Sequence, residues 1–146
     1  MRNQDLDAPW WTLRLTYGLV PIVAGFDKFT NLLTDWTRYL SPVATQVLPV
    51  SAATFMHVVG VIEIIAGLLV LSRWTRVGAY VVSAWLVAIA ANLVTTGQYL
   101  DVAVRDLVMA VGAFTLARLT EARPAHSSQS APLIAGTPAR GTLSAS

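Results

Sequence analysis

The 146-residue chain has no cysteine. That excludes disulfides, thiol redox chemistry, cysteine-ligated iron–sulfur clusters and thioether-linked haem on this chain. Histidine is nearly as scarce, with only His57 and His126. His126 lies beyond the last apolar stretch, so a bis-histidine haem within one chain is unsupported. Three methionines and no Cys/His cluster leave zinc and copper without a ligand set. Charged residues make up 12% of the chain, about half the roughly 25% of an average soluble domain. No basic patch points to nucleic acid. No phosphate-binding glycine loop and no Gly-x-Ser-x-Gly elbow is present, so no autonomous catalytic motif is seen and enzyme status stays open. The opening MRNQDLDAP lacks the basic segment and small-residue cleavage site of a leader, so the first apolar stretch reads as a retained anchor.

What is present is apolar. Hydrophobic residues make up 55% of the chain and mean hydropathy is +0.58. The run FMHVVGVIEIIAGLLVL, Phe55 to Leu71, is nearly uninterrupted and holds one carboxylate, Glu63. About 20 apolar residues in a helix match the roughly 30 Å bilayer core. Met56, Gly60, Glu63 and Gly67 share one helical face, so a neighbouring helix can come close and supply the acid with a partner. Similar stretches predict spans at about 10–29, 54–72, 77–95 and 102–119. The expected fold is all-α: an integral membrane antiparallel four-helix bundle.

In the first span Arg14, Gly18, Pro21, Gly25 and Lys28 form a stripe on one face. Trp10 and Trp11 read as an interfacial belt. Between spans one and two, TNLLTDWTRYL predicts a short amphipathic surface helix over about 31–41, ending before Pro42. Residues 120–146, rich in Ala, Ser, Pro and Gly, predict a disordered cytoplasmic tail. Arg2, Arg73, Arg76, Arg118, Arg123 and Arg140 fall on one side of this topology; Lys28, Arg38 and Arg105 fall on the other. The positive-inside rule therefore predicts both termini in the cytoplasm.

Intramembrane charges are costly and are read as candidate sites. Glu63 is either half of a structural ion pair or a proton or ligand site. Arg14 and Arg105 sit about one turn inside opposite boundaries, where each either reaches the interface or answers Glu63. Arg105 also has Asp101 and Asp106 beside it. Asp27 and Lys28 read as a solvated interfacial pair by default, with Lys28 on the stripe that faces a neighbour. Glu63, Arg14, Lys28, Arg105 and Asp106 are the candidate polar cluster. His57, as a hydrogen-bond donor to a quinone, and Asn92, as glue to a neighbouring helix, are secondary candidates. No metal site is expected.

RLTYGLVPIVAGFDKF, GVIEIIAGLLVLSRWTRVGAY and YLDVAVRDLVMAVGAFTLARL occur in an order and spacing that resembles the DoxX-like family of small four-span bacterial membrane proteins. The resemblance implies a bundle in the bacterial inner membrane. It also implies a non-catalytic or accessory subunit of a quinone-linked or oxidative-stress oxidoreductase system, with redox-enzyme partners. It supplies no agreed catalytic residues. Two alternatives stand beside it. One is a protein that binds a quinone-like small molecule through an intramembrane Glu–Arg site. The other is a proton-coupled exporter, although small exporters of that kind carry their essential Glu in the first span. No covalently bound cofactor is expected, the lipid bilayer is the expected surrounding, and a homo-oligomer is compatible with all three readings.

Overall fold

The computed structural model describes residues 3–47 and 49–129. Among them every regular element is helical: α1 (Asn3–Thr30), a 3-10 turn (Trp36–Tyr39), α2 (Pro42–Val47), α3 (Ala52–Leu71), α4 (Thr75–Thr96) and α5 (Leu100–Gln129). The four long helices cover the four apolar stretches. Pro21 lies inside α1 without ending it.

Glycine contacts set how α1 meets α3. A Cβ on Gly25 would lie 2.5 Å from the Gly60 carbonyl oxygen, and one on Gly67 would strike the Gly18 carbonyl. Backbone therefore touches backbone at two levels of an antiparallel pair. Only residues without a side chain allow that approach. Arg14 meets the α3 terminus in the same register, donating to the carbonyls of Val70, Leu71 and Ser72 at 3.2, 2.6 and 2.8 Å.

The α4–α5 pair uses alanine for the same purpose. Ala79, Ala90, Ala103, Ala113 and Ala117 are buried along this contact. The Ser83 hydroxyl donates to the Ala110 carbonyl at 2.9 Å. The two pairs join through the tight turn after α3, where the Thr75 hydroxyl donates back to Val70 at 2.9 Å. Gly78 packs against the Val70 backbone there. Gly97 closes α4 with φ +67°, a left-handed cap that favours glycine.

Three expectations are corrected. First, residues 31–41 do not form an amphipathic α-helix. The Asp27 carboxylate takes the amides of Leu32 and Leu33, and Asn31 turns left-handed at φ 50°, so α1 ends in a sharp bend. Only Trp36–Tyr39 then coils. Asp35 caps that turn through Thr37, whose hydroxyl holds the Asp35 carboxyl below its usual range. Pro42, expected to stop a helix, instead starts α2, as fits its fixed φ and missing N–H.

Second, α5 does not end near 119 but continues to Gln129. Its charged residues find partners. Arg118 pairs with Glu121 at 2.7 Å, and Glu121 also accepts from the Tyr80 hydroxyl at 3.1 Å. Arg123 pairs with Asp7. The rest of the predicted tail, 130–146, lies outside the described residues.

Third, Trp10 is not an interfacial ring. It is buried against α5, its indole donating to the Thr120 hydroxyl at 2.8 Å, whereas Trp11 is exposed.

Among the described residues α3 and α4 are long and apolar enough to cross a membrane. Only 39% and 28% of their most apolar stretches are buried inside the fold. A soluble core helix would hide most of such a stretch; here Val58, Val61, Ile65, Leu68, Val87 and Val94 face outward.

Gly25→Ala and Gly67→Ala should each destabilise the fold by about 1–3 kcal/mol through overpacking. Ala84→Val, on an exposed face of α4, should change little. Thermal unfolding in detergent checks this, and a wild-type midpoint for Gly25→Ala would refute the close α1–α3 approach.

Candidate functional site

Between the two glycine levels of α3, α1 and α3 also meet through side chains. Lys28 Nζ donates to Glu63 Oε2 at 2.6 Å. The two side chains are 4% and 8% exposed, so this is a buried ion pair. The last turn of α1 brings Lys28 there. The stripe that places Gly25 on Gly60 carries Lys28 onward, one turn later, against the same face of α3. Lys28 Nζ also lies over the Trp36 ring, 3.7 Å from its centre, a cation–π contact.

Trp36 is itself held. Its indole nitrogen donates to Asp27 Oδ2 at 2.7 Å, through the carboxylate that collects the Leu32 and Leu33 amides. Asp27 thus folds the connection back so that Trp36 covers Lys28. Asp27 and Lys28 are both buried and serve different partners. The expected solvated pair between them is corrected on that ground. Sequence reasoning missed the roles of Asp27 and Trp36; an acid next to a lysine at the end of an apolar stretch, nine residues before a tryptophan, was the available signal.

Asn92 lies across from these residues on α4. It donates to the Tyr39 carbonyl at 2.8 Å and accepts from the Ser41 amide at 3.2 Å. Its partner is therefore the connection's backbone rather than another long helix. Between these two anchorages lies a cavity of about 620 Å³. Its apolar wall includes Val20, Pro21 and Ala24 of α1, Leu86 and Ile89 of α4, and Met109 of α5. Trp36, Tyr39 and Leu40 of the connection close one side.

The polar residues of the cavity are few. Lys28 and Glu63 lie on its wall, as do Asp106 and Arg105. Asp106 is buried and 3.6 Å from Arg105, whose own side chain is 66% exposed. Glu63, Lys28 and Asp106 are close enough for their charges to act on one another. Trp85 of α4 approaches the Glu63 carboxyl, but its buried indole N–H closes no hydrogen bond among the described residues. A buried donor without an acceptor costs free energy, and a bound polar group would recover it.

The structure therefore brings together four of the five primary candidates: Lys28, Glu63, Arg105 and Asp106. Arg14 stands apart. It caps the C-terminus of α3 and lies over the Trp10 and Trp11 rings at 4.8 and 5.0 Å, because α3 presents unpaired carbonyls at that level. His57 is exposed and stacks on Phe29 at 4.9 Å. It is not among the residues that line the cavity.

Removing one partner of the buried pair should cost more than removing both. Lys28→Met or Glu63→Leu alone should lose about 3–5 kcal/mol, while the double variant Lys28→Met/Glu63→Leu should regain much of it. Unfolding in detergent measures the cycle; additive losses would mean that the pair is not coupled.

A family model described as DoxX matches residues 10–96, a stretch that includes Lys28, Glu63, Trp85 and Asn92. No curated protein and no solved structure matches the chain.

Proposed function

The chain belongs to the DoxX family and is a membrane protein, and from that premise we propose that it binds a lipid-soluble, quinone-like small molecule in the cavity beside Lys28 and Glu63. The observation that carries this reading is the cavity itself. Its volume of about 620 Å³ falls in the range of roughly 300–1,000 Å³ for small-molecule sites. Its walls are mostly apolar, and its charged groups are few and convergent, the usual form of a site that seats a ring and orients its polar edge. A buried ion pair at the wall fixes that edge without redox chemistry of its own.

In this reading α1, α3, α4 and α5 all cross the bacterial inner membrane. α1 and α5, 28 and 30 residues long, are each more than long enough at about 1.5 Å per residue. The two chain ends then share one side. The arginines near the α3–α4 turn and the end of α5 favour the cytoplasm.

The chain serves as an accessory subunit that holds such a ligand for a partner oxidoreductase. The absence of cysteine and the arrangement of the site support a holding role over electron transfer. A proton-coupled exporter fits less well, since its carboxylate must exchange protons freely and Glu63 is held by Lys28 at 2.6 Å.

Ala24→Phe and Met109→Trp, which fill the cavity, should weaken binding of a decyl-substituted benzoquinone in lipid nanodiscs at least tenfold while leaving unfolding near wild type. Unchanged binding in both variants would remove the ligand from this cavity. Purification in mild detergent should recover a redox enzyme with the chain; repeated recovery of the chain alone counts against the accessory role.

A further inference from the structure

The hydrogen-bonding groups left over in the cavity are unequal, and they discriminate between ligand forms. Glu63 gives Oε2 to Lys28 at 2.6 Å, with Trp85 as the other polar side chain beside its carboxyl. Asp106 is buried, with Arg105 at 3.6 Å as its ion-pair partner and no shorter hydrogen bond among the described residues. Among the described residues the buried N–H left without an acceptor in hydrogen-bond geometry is the Trp85 indole, which is directed toward Glu63; the Lys28 ammonium is taken up by Glu63 and the Trp36 ring, and the Arg105 side chain is mostly exposed.

A group seated between an N–H and a carboxylate must accept from the first and donate to the second. A hydroxyl does both with one oxygen. A carbonyl can only accept, so it would meet Trp85 well and leave its other side against carboxylate oxygens. Two acceptors face to face are repulsive, and the carboxylates would lose hydration without compensation.

We propose that the cavity selects the reduced, hydroxyl-bearing form of its ligand, a hydroquinone, over the oxidised quinone, with Trp85 donating to the ring hydroxyl and Asp106 accepting from it. This rests on the quinone-like reading above and adds which redox form is held. The ring and its alkyl chain lie against Leu86, Ile89 and Met109. Trp85 and Asp106 are binding residues in this scheme; Lys28 occupies one oxygen of Glu63.

The experiment uses the full chain in lipid nanodiscs, with a decyl-substituted benzoquinone and its hydroquinone as probes, the latter kept reduced under anaerobic conditions. Wild type should bind the hydroquinone about tenfold more tightly, the worth of one hydrogen bond to a charged acceptor. Asp106→Asn supplies an N–H donor in place of the carboxylate, so it should gain affinity for the quinone and bring the ratio to one or below. Trp85→Phe should weaken both forms and keep the hydroquinone preference. Equal or tighter quinone binding by wild type overturns the inference and leaves the ligand reading intact. So does a ratio unmoved by Asp106→Asn. Binding of neither form overturns the parent reading, and this inference with it. If Asp106→Asn fails to fold, the wild-type ratio and the Trp85→Phe variant still decide.

Discussion

The Lys28–Glu63 ion pair is the constraint around which the rest of the structure is arranged. Two opposite charges at 2.6 Å, each under a tenth exposed, persist only if the surrounding helices hold them together. Gly25 and Gly60 bring the backbones close enough for a lysine near the end of α1 to reach mid-α3. Asp27 then turns the chain so that Trp36 covers the ammonium. Without the close approach, Glu63 would face apolar surroundings alone, the expensive case for a carboxylate.

The same constraint explains why the cavity lies where it does. α1 and α3 touch backbone to backbone at their glycines, so they form one joined wall of the cavity. Space opens toward α4 and α5, where Trp85, Asn92 and Asp106 approach. Asn92 fastens the connection to α4 by two backbone hydrogen bonds, so the cavity is closed on that side by a segment with little regular structure. Polar groups here do double service: they satisfy backbone atoms, and they border the space a ligand would fill.

Much of this was legible in the sequence, and what was not has physical reasons. The need of Glu63 for a basic partner followed from its position alone, but the partner did not: Arg14 and Arg105 were the arginines set against it, and Lys28, although on the stripe with Gly18 and Gly25, read as a solvated pair with Asp27. Periodicity gives the face of a residue but not its level against a neighbour. Arg14 and Lys28 were therefore equivalent on the helical wheel, although one caps α3 and the other pairs with its middle. Asp27 was misjudged because its partners are mainly main-chain amides and an indole brought round by a bend, which no spacing rule encodes. The helical extension to Gln129 was missed for a similar reason. Ala-, Ser- and Pro-rich composition suggests disorder, but Arg118, Glu121 and Arg123 are tied to neighbours far away in the chain or one turn apart.

The Arg14 cap has a mechanical consequence. α1 is fastened to α3 twice, by the guanidinium at one end and by the ammonium toward the other, with glycine contacts between. Two fastenings stop the helices from sliding past each other, since any axial slip would break both at once. The pair behaves as one stiff lever. Breathing of the cavity must then fall to the opposite wall, by tilting of the alanine-packed pair or by unlatching of the segment held at Asn92.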